Sequence, residues 1–577
     1  MIDLKSLEDK TVWQRWEYFA DTQPDKTAII HWEAVGKNYR WTYKSLLETA
    51  NKFSNRLKQI GVQKGDVCAI VIRHNPLFYP FYMGIVGVGA LPTVLVYPNP
   101  KLHYLKFQHG LVGMAERSGL DWIFTEKELD KIIRPLIVSR RRINTGLFFP
   151  LEWDIKDSIA GKGNAELAEI RTSVKMKDPM LLQHSSGTTG LQKPIVLSHS
   201  AIVNHVNNYG KTIHLSKDDV IASWLPLYHD MGLIAAFHLP LAVGITTIQM
   251  DPFQWILAPS LLLNAISSEK ATLTWLPNFA YNLMADKIKE EELKNVSLRS
   301  LRMLINCSEK VRSDSHEMFY RKFSEYELHE NTLTTMYAMA ETTLAVTQSN
   351  VGKRATEITV DKFALARGIV SSTDNKNKIK TCVSSGKLID GCELKVVNER
   401  RDTVANDRVG EIAVKSVSMF DGYRNYPEKT SEVFDEEGWF YTGDLGFMDD
   451  DDLYVIGRIN DVIIVAGNNI YPEDIEDVVS KVESVIPGRI IVFGEEDVVL
   501  GTEQVCVVAE TKYDNEIELQ KLSMDIIKVG MSIDVNIHKI YLVPPRWLIK
   551  SSSGKPSRKT NKQRISDNID KNVWCNK

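Results

Sequence analysis

Apolar residues at Leu46, Leu47, Ala50, Phe53, Leu57 and Ile60 recur at helical spacing and predict a helix over 46–60. Gly61 and Gly65 punctuate its end. The run VCAIVI over 67–72 is continuously apolar, the pattern of a parallel strand covered on both faces. A second helical stretch over 78–89 and a second apolar run over 91–96 follow. Strand, helix and strand in succession predict layered α/β structure with right-handed crossovers. The rhythm returns with strands expected at 223–227, 272–276 and 301–305. The longest apolar stretch, 233–250, contains His238, Pro240, Gly244 and two threonines. It reads as buried helix and strand, with a membrane span as the weaker alternative, because a span needs about 20 mostly apolar residues.

Later segments change character. Residues 347–381 are polar with weak periodicity and read as a long loop or small insertion, which is uncommon unless functional. The last 120 or so residues read as a separate small unit, with strands at 491–493, 505–509 and 539–543 and a helix over 518–529. The boundary is expected near 457–461, after an acidic turn. The fold class expected is therefore α/β, with a large N-terminal domain of layered α/β subdomains over 1–459 and a small α+β C-terminal domain over 460–577. The tail over 550–564 carries six basic residues and no acidic one, usually the mark of a solvated end.

Composition narrows the class. A chain of 577 residues, 44% hydrophobic and 25% charged, has globular composition and length for several cores. The net charge of −4 removes a global basic field, so nucleic acid is not expected as a partner. Six scattered cysteines form no CxxC pair and no zinc spacing, which reads as reduced thiols in a cytoplasmic protein. The first 20 residues are charged throughout and lack the apolar core of a signal peptide.

The segment QHSSGTTGLQKPIVLSH over 183–199 carries the first candidate chemistry. Ser185, Ser186, Gly187, Thr188, Thr189 and Gly190 are six small residues in succession, and Lys193 follows. Glycines let backbone N–H groups approach an anion, hydroxyls add donors, and a lysine adds a point charge. The apolar runs on either side predict a loop between two strands. It is not a Walker A loop, because GxxxxGK[ST] is not satisfied.

This loop, with the Leu-Ser-His that ends the segment, resembles the signature loop of the adenylate-forming superfamily, which includes acyl-CoA synthetases, peptide-synthetase adenylation domains and luciferases. Four more motifs follow in the family's order: Tyr337 to Thr342 (YAMAET), Tyr441 to Asp444 (YTGD), Gly457–Arg458 with Asp461 and Gly467, and Ser552–Ser553–Gly554–Lys555. The resemblance implies that a carboxylate and ATP form an acyl-adenylate and pyrophosphate. It implies that 185–190 and Lys193 hold the β- and γ-phosphates, and that Glu341 holds Mg²⁺. Tyr337 would lie against adenine, beside Ala338, Met339 and Ala340 and the segment that includes Ser308 and Glu309. Asp444 and Arg458 would bind the ribose, and Lys555 would reach the carboxylate and α-phosphate. The small C-terminal domain would be mobile, turning about Asn460. Departures from the family pattern are Gln192 and Pro194 around Lys193, the segment 306–310 (NCSEK), Ala338 after Tyr337, and Asn460.

Three segments, WLPLYHDMGL over 224–233, PNFAY over 277–281 and GNNIYPEDIE over 467–476, resemble fatty acyl-AMP ligases more than general CoA ligases. That resemblance implies a fatty acid substrate and transfer of the acyl group to a carrier protein's phosphopantetheine thiol. It also implies an insertion, matched by 347–381, that restrains the C-terminal domain. His229, as a catalytic group, and Asp230, Asn278 and Phe279 are expected around the acyl site. The alternatives are an acyl- or aryl-CoA ligase and a nucleotide-binding partner module without catalysis.

Overall fold

The computed structural model describes residues 4–98, 111, 118–137, 147–153, 165–184, 193–465, 468–497, 502–550, 555–567 and 573–576. The helix expected over 46–60 spans Tyr43–Ile60. Thr42 caps its first turn, and Gly61 ends it in the left-handed conformation, with φ 103°. It packs on the helix Phe78–Gly87. A Cβ on Gly84 would lie 2.7 Å from the Phe53 Cβ, so the lack of a side chain allows this close approach. The Ser54 hydroxyl donates to the Gly84 carbonyl across the gap at 2.9 Å.

The apolar runs before and after these helices form a four-stranded parallel sheet, ordered Leu91–Val94, Val67–Val71, Trp122–Thr125 and Leu147–Phe148. A nine-stranded sheet forms the centre of the large domain. Six neighbouring strands in it are parallel: Leu333–Ala338, Met303–Cys307, Leu273–Pro277, Val220–Ser223, Thr246–Met250 and Thr27–Trp32. Antiparallel strands close both edges. Every residue of Leu273–Pro277 and Met303–Cys307 is buried, the polar Thr274 and Asn306 included, as expected of parallel strands covered on both faces.

The strand expected at 223–227 lies earlier, at Val220–Ser223. Trp224 and Leu225 are buried beyond its end, in the loop before the wide π-type helix Met231–His238. Burial in a loop looks like strand periodicity over so short a run. The stretch 233–250 is the rest of that helix, the helix Leu239–Val243 and the strand Thr246–Met250. Among the described residues no helix is long and apolar enough to cross a membrane.

A four-stranded antiparallel meander, Cys392–Val397, Gly410–Ser416, Phe440–Asp449 and Asp452–Arg458, completes the large domain. Residues 347–381 are more ordered than their polarity suggested. Thr347 belongs to the strand Ala345–Gln348 of the nine-stranded sheet, and Glu357–Asp361 pairs antiparallel with Ile379–Val383 around the helix Lys362–Ala366. Val360, Leu365 and Cys382 bury themselves against Phe447, Tyr454 and Tyr471, so a few apolar contacts order a mostly polar segment.

The small C-terminal domain follows the turn Ile459–Asp461. Val485–Asp497, Thr502–Thr511, Ile537–Val543 and Trp574–Cys575 form its main sheet. The helices Pro472–Ser480 and Glu516–Ser532 contribute Ile475, Val479, Leu522 and Ile526 to a core of its own. The basic tail is not a solvated end. It forms the helix Arg558–Ser566, whose Arg558 pairs with Asp461, Glu473 and Glu476.

Candidate active site

Tyr337, Ser308 and Asn278 stand at or just past the carboxyl ends of parallel strands, where open α/β sheets bind ligands. Tyr337 is the penultimate residue of Leu333–Ala338. Its buried hydroxyl donates to Asp444 Oδ2 at 2.6 Å, and Arg458 Nε donates to Asp444 Oδ1 at 2.6 Å. Asp444 and Arg458 face each other across adjacent strands of the meander. Burial and the Asp444 charge push the Tyr337 hydroxyl well above its ordinary pKa. The same carboxylate raises Arg458, a permanent cation here.

Beyond the strand, Ala338 leads into Met339, whose N–H donates to the Leu344 carbonyl at 2.9 Å, and into the tight turn Ala340–Thr342. That turn carries Glu341. Its Oε1 accepts from the Tyr423 hydroxyl at 2.9 Å, and burial pushes its carboxyl above the ordinary range. Lys193 Nζ lies 4.5 Å from the Tyr423 ring centroid, which joins Lys193, Tyr423 and Glu341 in one cluster. Lys193 stands at the neck of the antiparallel pair Pro179–His184 and Pro194–Ser198. Ser185, Ser186, Gly187, Thr188, Thr189 and Gly190, the loop between these strands, lie outside the described residues, as do Gly467 and Ser552 to Gly554. Among the described residues no three His, Cys, Asp or Glu side chains group as a metal site. Glu341 stands as a single carboxylate, a donor set that suits Mg²⁺ arriving with nucleotide phosphates.

The second cluster surrounds Lys555. Its Nζ donates to the carbonyl of Ser308, just past the strand Met303–Cys307. Ser308 holds φ at 71°, a left-handed conformation uncommon for a residue with a side chain. His229 Nδ1 lies 2.5 Å from Asp230 Oδ1, which also accepts from Met231 N at 2.8 Å. Burial alone would raise the Asp230 carboxyl, but His229, the Met231 N–H and Lys555 outweigh it and hold it below the ordinary range. Burial and the Asp230 charge push the Cys307 thiol up to about 12. The Ser308 hydroxyl reaches Met231 Sδ at 3.6 Å, which connects the two loops.

Next to this cluster is an apolar wall. Trp224 and Trp255 stack at 3.7 Å, and Phe279 meets both edge-on, at 6.1 Å and 6.4 Å. The Phe279 N–H donates to Glu309 Oε2 at 2.9 Å. Asn278 has a different environment. Its amide donates to Ser315 and accepts from Asn306 and the Arg312 N–H, inside a buried polar network. Asn460 lies in the turn Ile459–Asp461.

Sequence reasoning did not single out Trp255, Tyr423, Lys310 or Asp474. None lies in a motif that implied a role for it. Lys310 Nζ meets Asp474 Oδ1 at 2.6 Å, Lys380 Nζ meets Asp474 Oδ2 at 2.5 Å, and Lys362 Nζ meets Asp534 at 2.7 Å, all across the domain boundary.

The family model described as AMP-binding enzyme matches residues 16–424. JamA of Moorena producens (strain JHB), named medium-chain-fatty-acid–[acyl-carrier-protein] ligase, is 32% identical over 65% of this chain and 66% of its own, so the match spans just under two thirds of that protein. The crystal structure of a fatty acyl-adenylate ligase from L. pneumophila, in complex with acyl adenylate and pyrophosphate, has a TM-score of 0.75 at 25% identity, covering 100% of this chain and 99% of that one. A structure from a study of fatty acyl-adenylate ligases of E. coli and L. pneumophila shares the fold with a TM-score of 0.87 at 23% identity, covering 97% and 98%. The chain belongs to the family of AMP-binding enzymes, the adenylate-forming ligases.

Proposed function

We propose that this protein is a fatty acyl-AMP ligase that activates a medium- or long-chain fatty acid with ATP and passes the acyl group to a carrier protein's phosphopantetheine thiol. The observation that carries the reading is Lys555 on the Ser308 carbonyl, near Asp230 and its partner His229, with Phe279 of the aromatic wall bonded through its N–H to Glu309, the residue after Ser308. A cation next to an apolar wall suits a carboxylate with a long hydrocarbon tail. The names of JamA and of the L. pneumophila ligase support the same substrate class.

In this reading a carboxylate oxygen attacks the α-phosphorus, the bond to pyrophosphate breaks, and acyl-adenylate forms. Two anions meet, so fixed donors and cations supply most of the assistance. Lys555 bridges the carboxylate and α-phosphate, and Tyr337 lies along the adenine. Asp444, already oriented by Arg458, accepts from the ribose hydroxyls. Lys193 and the loop 185–190 hold the terminal phosphates. Glu341 would hold Mg²⁺, which offsets phosphate charge when bound. In the second half-reaction the thiol attacks the acyl carbonyl, AMP leaves, and the thiol proton is released. We place the domain boundary at 459/460, with the C-terminal domain turning about Asn460 to withdraw Lys555 between the steps. The 357–383 hairpin limits that turn, a reading supported by the Lys362–Asp534 pair.

The test is product analysis with Mg²⁺-ATP and fatty acids of graded length, with and without CoA. Acyl-AMP that persists with CoA present and is consumed by a carrier's pantetheine thiol is the expected result. Efficient conversion to acyl-CoA would overturn the carrier reading in favour of a CoA ligase, and no pyrophosphate release would overturn the catalytic one.

A further inference from the structure

The helix Pro472–Ser480 carries four acidic residues that face two ways. On one side Glu473 and Glu476 hold Arg558, at 2.9 Å and 2.8 Å, and Arg558 also holds Asp461 at 2.7 Å. Arg558 opens the helix Arg558–Ser566 and stands three residues after Lys555. On the other side Asp474 gives one carboxylate oxygen to Lys310 and the other to Lys380. Asp477 pairs with Arg312, which also donates to the Glu473 carbonyl at 3.2 Å. Lys310 and Arg312 stand two and four residues after Ser308, whose carbonyl receives Lys555. The contacts therefore form a closed circuit. It runs from Ser308 through Lys310 and Asp474 into the helix, then through Glu473, Glu476 and Arg558 to Lys555, and back to Ser308.

We propose that Pro472–Ser480 is a two-sided positioning element for Lys555, and that Asp474, held between Lys310 and Lys380, sets its register against the nucleotide side of the site. This rests on the adenylation reading given above. Asp474 is a positioning residue, not a catalytic one, because it acts through Arg558. Both of its oxygens are used, one by each of two half-buried ammonium groups. Burial would raise its carboxyl, but the two lysines hold it well below the ordinary range, so it is charged at every working pH. A circuit of charges suits an element that has to disengage. Separation returns the ions to water, and the apolar contact it has to open is that of Tyr471, which precedes the helix and packs on Val360, Leu365 and Cys382. Lys380 makes the strand Ile379–Val383 a member of the same circuit, so the hairpin reports on helix register as well as limiting domain travel.

The test separates the half-reactions in the full-length protein. Adenylation is read as fatty-acid-dependent ATP–pyrophosphate exchange. Transfer is read from preformed acyl-AMP to free pantetheine. Asp474→Asn and Lys310→Met are expected to lower the adenylation kcat about 10- to 100-fold, as a misplacement near 1 Å does, with the KM for ATP changed less than about twofold. Transfer is expected to hold or rise. The Lys310→Met/Asp474→Asn double variant should be no worse than the poorer single variant, and Asp474→Glu should recover part of the loss. If Asp474→Asn fails to fold, Lys380→Met breaks the same clamp from the hairpin and should show the same split. Equal losses in both half-reactions, or unchanged adenylation in folded variants of an active parent, would overturn the positioning role alone. A parent protein that forms no acyl-AMP would overturn the functional reading together with it.

Discussion

At the carboxyl ends of the nine-stranded sheet, Trp224, Cys307 and Tyr337 are held by apolar packing, each under a tenth exposed. Across the site, Lys555 rides on a domain that meets the sheet and its hairpin through ion pairs, Lys310 and Lys380 with Asp474, Arg312 with Asp477, and Lys362 with Asp534, and through Tyr471, buried against Val360, Leu365 and Cys382. Apolar surface resists separation, at about 25 cal/mol for each Å² returned to water. Charges exchange a protein partner for water at small net cost. The fixed half of the site is thus built on contacts that are costly to open. The half proposed to swing is held by ion pairs that are not, beside the apolar contact of Tyr471.

The largest expected way to break this contrast is pH. Burial lowers His31, His184 and His199 to about 4 and His205, His238 and His316 to about 3, with His74 also well below its ordinary value. Groups whose folded pKa is depressed add stability above the unfolded value of 6.5 that is lost as pH falls towards the folded one. Each fall from 6.5 to about 4 corresponds to roughly 3 kcal/mol when fully expressed. All seven belong to the large domain, and the chain after Arg458 contains only His538. Calorimetry from pH 7 to 4 should therefore show the large domain losing stability first. Parallel loss in both domains would contradict the contrast.

Trp255→Ala comes next. It empties the stack on Trp224 and should lower stability by about 3–5 kcal/mol, read as a loss in chemical denaturation. A loss below 1 kcal/mol would show that the wall is loosely packed. Lys555→Ala should leave stability near the parent value while lowering pyrophosphate release about 10²- to 10³-fold, with ATP binding largely kept. Unchanged release would remove Lys555 from the chemistry. The smallest effect belongs to Lys362→Met, on a pair whose Asp534 side chain is 53% exposed. It should change stability by less than about 1 kcal/mol, and sodium chloride should mask it.

Much of the fold was readable in the chain because its signals are local. Period 3.6 over 46–60, the unbroken apolar run at 67–72 and the mostly apolar strands expected at 272–276 and 301–305 each reflect burial of one element, and each element formed within a few residues of its expected place. The errors have physical causes. Trp224 and Leu225 are buried in a loop, so they read as strand. The hairpin within 347–381 is ordered by Val360, Leu365 and Cys382 packing on strands far ahead in the chain, so its own polarity concealed it. The basic tail read as solvent-facing because its acidic partners, Asp461, Glu473 and Glu476, lie about 80 to 100 positions earlier.

Sequence alone determined the alternation of helix and strand, the large and small domains, and the ordered motifs that carry candidate chemistry. These depend on the residue types within a few turns of chain. Tertiary structure decided which groups act together. Tyr337 meets Asp444 over 107 positions, Glu341 meets Tyr423 over 82, and Lys555 meets Ser308 over 247. It also decided that one carboxylate, Asp474, serves two lysines from different parts of the large domain. Charge pairing has no period along a chain, and its partners are chosen by how separately folded elements pack. For that reason the residues that fasten Lys555 over the site were not visible until the fold was known.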